Sequence, residues 1–113
     1  MKAEELRAEE LRIGNLVKDI DGNIFNIKQE NLCDFANGFI VVKPIPLTED
    51  WLVDFGFSIV ELDNGNFSYQ NNIFSLGSNY AGFYIRNLDI KYVHQLQNLH
   101  FALSGKELII KNK

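Results

Sequence analysis

The chain reads as an α+β protein. Short β-prone runs separated by turn signals fill most of it, one helix-compatible segment interrupts them, and a longer one follows them. Two hairpin signals carry the β part: Asp21-Gly22 between two apolar runs, and Asn64-Gly65 between "FSIVEL" and "FSYQ". The α part rests on "KYVHQLQNLHFALSG", where apolar residues recur at helical spacing before a Ser104-Gly105 stop. With 113 residues there is room for one domain, expected at 13–113 behind a charged helical arm at 1–12.

The arm is a tandem "AEELR" at 3–7 and 8–12. Its residues are strong helix formers, with Glu4/Arg7 and Glu9/Arg12 at supportive spacing. Leu6 and Leu11 lie roughly 140° apart on a helix, so they form no single stripe. Strands are expected at 16–20 and 24–27, and a third in "GFIVVKPIP" at 38–46, ended by Pro44 and Pro46. In "LTEDWLVDFGF", Thr48 suits an N-cap, Glu49 and Asp50 place negative charge in the first turn, and Gly56 suits a left-handed stop. Trp51, Leu52 and Phe55 then make a compact apolar corner, with Trp51 also a possible binding platform.

Further strands are expected at 57–62, 67–70 and 72–76, then a turn at 77–79 and a strand at 80–88. On that last strand Ala81, Phe83 and Ile85 point one way and Tyr80, Tyr84 and Arg86 the other. A helix at 90–103, with Asp89 placed to cap it, and a closing strand at 107–111 complete an antiparallel, partly barrel-like sheet with a short middle helix and a longer C-terminal one.

Composition excludes several classes. Hydrophobic content of 46% with 23% charged residues is that of a folded protein, and 12% aromatics supply a core. A net charge of −4 makes nucleic acid an unfavourable partner, because backbone binding relies on clustered Lys and Arg. The single cysteine, Cys33, fits a reducing cytoplasm and is expected as a buried or half-buried spectator. The first residues hold no apolar signal region, and no apolar run is long enough to span a membrane. There is no phosphate loop, no zinc spacing and no nucleophile elbow, so no catalytic residue, metal or cofactor is assigned.

Two surfaces remain as candidates. Tyr80, Tyr84 and Arg86 could stack a base and pair a phosphate, with Lys91 and His94 completing an anionic ligand site. The competing reading is an ordinary outward sheet face. On the helix, Tyr92, Val93, Leu96, Leu99, His100 and Leu103 cluster within roughly 60° of Leu96 and form the expected core stripe. A separate line runs through His94, Asn98 and Phe101, flanked by Gln97. Three readings fit Phe101: a lone exposed ring, packing under another segment, or an interface for self-association or ligand.

The segments "LRIGN", "IPLTEDWLVDFGF" and "YVHQLQNLHFALSGKEL" resemble an uncharacterised family of small proteins from phages and prophages of Bacteroidota. That resemblance covers both ends and the middle of the chain and brings no catalytic residues with it. It implies a phage-encoded protein in the bacterial host cytoplasm. The expected function is non-enzymatic binding in counter-defence, by a homo-oligomer that captures a nucleotide-derived signalling molecule or a host defence protein. The alternatives are an accessory or structural phage protein acting only by protein contact, and a small nucleotide hydrolase with His94 as general base.

Overall fold

The computed structural model describes residues 6, 10–63, 65–79 and 82–110. The expected helical arm therefore lies largely outside the described residues, as do Asn64, Tyr80 and Ala81. The architecture is α+β: β1 (Leu16–Lys18), β2 (Ile24–Asn26), α1 (Gln29–Ala36), α2 (Glu49–Asp54), β3 (Ser58–Glu61), β4 (Phe67–Gln70), β5 (Ser75–Asn79), β6 (Gly82–Ile85), β7 (Leu88–Ile90) and α3 (Val93–Ser104). It groups into two compact units, Met1–Ile45 with Tyr92–His94, and Pro46–Lys91 with Gln95–Lys113.

In the first unit β1 and β2 form the antiparallel hairpin expected from Asp21-Gly22, with Val17 opposite Phe25. The loop opens earlier than the dipeptide suggests. Asp19 Oδ1 accepts from the Asp21 and Asn23 amides, both at 2.9 Å, which ends β1 at Lys18. Those backbone donors, Asn23 foremost, hold the Asp19 carboxyl below its usual range. Leu11, Val17, Ile27 and Val42 form the core, with Leu6, Phe25, Leu32, Phe35 and Ile40 packed against it. Leu11, read from sequence as part of the arm, is thus a core residue.

The sequence reading and the structure differ at three points in this unit. Helix α1 had no predicted counterpart; Leu32 and Phe35 supply its apolar side, and Asn31 Oδ1 accepts from the Lys28 amide at 3.0 Å to close its first turn. The strand expected at 38–46 does not form; within this unit it leaves an isolated bridge, Lys18 to Lys43, with reciprocal backbone bonds of 2.9 and 2.8 Å. Pro44 has no N–H to extend the ladder, so pairing stops after one residue. Cys33, expected buried or half-buried, is exposed on α1 because Leu32 and Phe35 take the inward positions.

The second unit holds α2 and a five-stranded antiparallel meander in the order β3-β4-β5-β6-β7. It is an open sheet and closes no barrel. Helix α2 forms as read: Thr48 Oγ1 accepts from the Trp51 amide, and Gly56 at φ 91° ends it. Leu52 and Phe55 are buried, with the Trp51 ring 5.8 Å from Phe55. In the sheet Ile59, Tyr69 and Leu76 stand opposite one another, as do Phe83 and Ile90. Tyr69, Leu76 and Ile90 on this face are buried. The Tyr69 and Phe83 rings meet edge-on at 5.3 Å. Burial and a hydrogen bond to Glu49 Oε1 at 3.1 Å both raise the Tyr69 hydroxyl pKa.

Turn chemistry moves the later strands from their expected places. Asn71 N donates to Phe74 O, while Asn71 Oδ1 accepts from the Ile73 and Phe74 amides. The β4–β5 turn therefore sits at 71–74, and 77–79 belongs to β5 rather than to a turn. The strand expected at 80–88 is broken by a two-residue loop at Arg86-Asn87, where Ile85 pairs with Leu88 and Arg86 adopts φ 55°. Residues 88–90 are consequently strand, Asp89 faces Tyr84 across the ladder instead of capping α3, and the helix starts at Val93. Residues 107–110 form no strand.

Gly77 lies directly opposite Tyr84, and a Cβ built on it would sit 2.5 Å from Tyr84 Cζ. The ring covers the space that glycine leaves on the outward face. Gly77→Ala is expected to cost about 1 kcal/mol in denaturant unfolding, and most of that loss should vanish in a Tyr84→Ala background. Equal losses in both backgrounds would show that the ring does not rest on Gly77.

Candidate functional site

Of the ligand residues read from the sequence, the described ones take up separate positions in the two units. Tyr84 stands on the outward sheet face between Gly77 and Asp89. Arg86 is in the β6–β7 loop rather than on the same strand face, and Tyr80 lies outside the described residues. Exposed Lys91 follows β7; its amide donates to Gln95 Oε1 at 2.8 Å and its carbonyl accepts from Leu47. His94 is fully buried.

His94 belongs to the first unit. Its ring stacks on Tyr92, with centroids 5.8 Å apart and an 8° interplanar angle, and its Nε2 lies 3.4 Å from Glu10 Oε1. A neutral ring protonated on Nε2 donates to that carboxylate, and Nδ1 is buried with no partner among the described residues. Leaving such an atom unpaired costs about 1–3 kcal/mol. Burial pushes the His94 pKa below its ordinary 6.5, while Glu10 opposes the shift by favouring the charged form.

On α3 the buried residues are Val93, His94, Leu96, Gln97 and His100, an arc centred roughly 80° from the expected Leu96 stripe. Leu103, placed in that stripe, is 53% exposed. Gln97, expected at an interface, is buried, whereas Asn98 is half-buried. The line through His94, Asn98 and Phe101 divides along its length: His94 is enclosed and Phe101, two turns on, is 38% exposed.

The second unit offers a better-formed cleft that the sequence did not reveal. It has a volume of about 310 Å³ and lies between the β4–β5 turn (Asn71, Asn72, Ile73), the end of α3 (His100, Ser104) and the segment after it (Lys106 to Ile109). A polar knot holds these walls together. His100 Nδ1 is 3.0 Å from Lys106 O, Ser104 Oγ donates to His100 O at 2.7 Å, and the Lys106 amide donates to Ser104 Oγ at 3.1 Å. Phe74 packs against the His100 ring at 6.1 Å.

Ser104 Oγ also lies 3.3 Å from His100 Nδ1, a spacing that invites comparison with a nucleophile and its base. The surrounding bonds argue otherwise. Nδ1 faces a carbonyl that can only accept, so it carries the proton and donates, and the serine proton is already committed to His100 O. The pair is structural. Among the described residues no group of three or more His, Cys, Asp or Glu side chains could hold a metal ion. No helix among them is long and apolar enough to cross a membrane.

No protein-family model, curated protein or solved structure matches the chain.

The buried His94 makes stability depend on pH. The unfolded chain takes up the proton near 6.5 and the folded ring resists it, so this contribution is whole above that pH and is lost as pH falls through the depressed folded value. The thermal midpoint is expected to fall between about pH 7 and about pH 5 and to fall less in His94→Gln. Parallel curves for the two proteins would remove His94 as the cause.

Proposed function

We propose that this chain is a non-enzymatic binding protein that holds a small anionic, nucleotide-derived molecule in the cleft beside the end of α3. The observation that carries this reading is the mixture of groups in that cleft. Lys106 brings an ammonium and Glu107 a carboxylate, Asn71 and Asn72 bring amides, and Ile73, Leu108 and Ile109 bring apolar surface. Lys106 and the amides suit an anionic group and the apolar surface suits an attached ring, while the Glu107 carboxylate disfavours a highly charged ligand. The volume falls at the lower end of ligand clefts, which span about 300–1,000 Å³. Ser104 and His100 are spent on structure, which favours capture over hydrolysis.

The phage setting implied by the sequence resemblance makes counter-defence in the host cytoplasm the corresponding role, with a signalling nucleotide withheld from its receptor. A second reading, contact with a host protein or with another copy of the chain, draws on the exposure of Phe101 and Leu103 on α3.

Calorimetric titration with cyclic dinucleotides and ADP-ribose tests the first reading. Binding is expected with recovery of unaltered ligand after denaturation, and Lys106→Glu should weaken it about tenfold or more. Absence of binding at millimolar ligand would overturn the reading, and recovery of altered ligand would make the protein a hydrolase. For self-association, light scattering should give a smaller mass for Phe101→Glu than for wild type; equal masses would take Phe101 out of any interface.

A further inference from the structure

We propose that the site is bipartite and that its second half selects a base carrying an exocyclic amine. This rests on the anion-binding reading of the first cleft and goes beyond it. A second cleft, of about 220 Å³, is lined by Gly56, Ser58, Gln70, Asn71 and Asn72. Asn71 and Asn72 line the first cleft as well, so the two halves meet at the β4–β5 turn. That turn is a stiff divider, since Asn71 closes it with three hydrogen bonds to Ile73 and Phe74.

The chemistry differs on the two sides. The first cleft contains Lys106, Glu107 and an apolar wall, whereas no ionisable side chain among the described residues lines the second. Ser58 and Gln70 stand directly opposite each other on β3 and β4, which places a hydroxyl and an amide on the same outward face. Gln70 Nε2 donates one N–H to Ser68 Oγ at 3.3 Å, which leaves its second N–H and its Oε1 to offer a ligand. An amide that can both accept and donate, beside a hydroxyl, suits the amine and adjacent ring nitrogen of an amino-substituted heterocycle. Gly56 contributes no side chain to that cleft, leaving its backbone open to a flat ring. A nucleotide that spans the turn lays its phosphate against Lys106 and its base against Gln70 and Ser58.

Titration with AMP and with inorganic phosphate separates this proposal from the reading beneath it. Wild type is expected to bind AMP about tenfold more tightly than phosphate. Gln70→Leu, and independently Ser58→Trp, should erase that preference while leaving phosphate affinity unchanged, and Lys106→Ala should weaken both ligands. If phosphate binds and AMP is no tighter, or if both second-cleft variants keep the preference, the bipartite site is overturned and the anion site stands. If neither probe binds, both fall. Circular dichroism on each variant identifies any that does not fold, and the other then decides.

Discussion

The β4–β5 turn is the constraint on which the sheet depends. Asn71 fixes it by accepting from two backbone amides and donating its own. With the turn held there, Tyr69 pairs with Leu76 and both face inward, while Ser68 pairs with Gly77 on the outer face. A slip of one residue would exchange the two faces, exposing Tyr69 and Leu76 and burying serines. The outer face follows from the same register: Gly77 comes under Tyr84, and Gln70 comes opposite Ser58. The clefts are by-products of this turn, since it forms a wall of each.

Helix α3 shows how polar groups enter a buried surface. Gln97 and His100 take interior positions alongside Leu96, and His100 is used to tie the chain after the helix back onto its last turn. A leucine at position 100 could fill a similar volume but could not bond Lys106 O. The wall of the larger cleft therefore relies on a polar bond made inside a largely apolar surrounding. His94 is the less satisfied counterpart, with one nitrogen facing Glu10 and the other without a partner among the described residues.

Much of the fold was legible because its signals are local. Thr48 and Gly56 bracket α2, Asp21-Gly22 marks the first hairpin, and Ser104-Gly105 stops α3. The misreadings share a cause. Asn71 outcompeted 77–79 as the turn, and Arg86 entered a left-handed conformation that a positively charged, non-glycine residue does not advertise. Helix α1 was missed because eight residues carrying only Leu32 and Phe35 inward show too little periodicity. Of the proposed ligand residues, Tyr84 and Arg86 were separated by that unforeseen loop, and the cleft residues Asn72, Ser104 and Lys106 carry no motif at all.

By itself the sequence determined the α+β class, the cap and stop of α2, the stop of α3, and the absence of a recognisable catalytic motif, because each depends on neighbours along the chain. Which side of α3 is buried was decided only in three dimensions. A helical wheel treats every turn alike, yet His94 and Phe101 share one line and differ in exposure, since packing changes along the helix as well as around it. The clefts were decided there too. Their walls come from residues 56–58, 70–73 and 100–109, and a hydrogen-bonded turn brings these together through contacts that no spacing in the chain encodes.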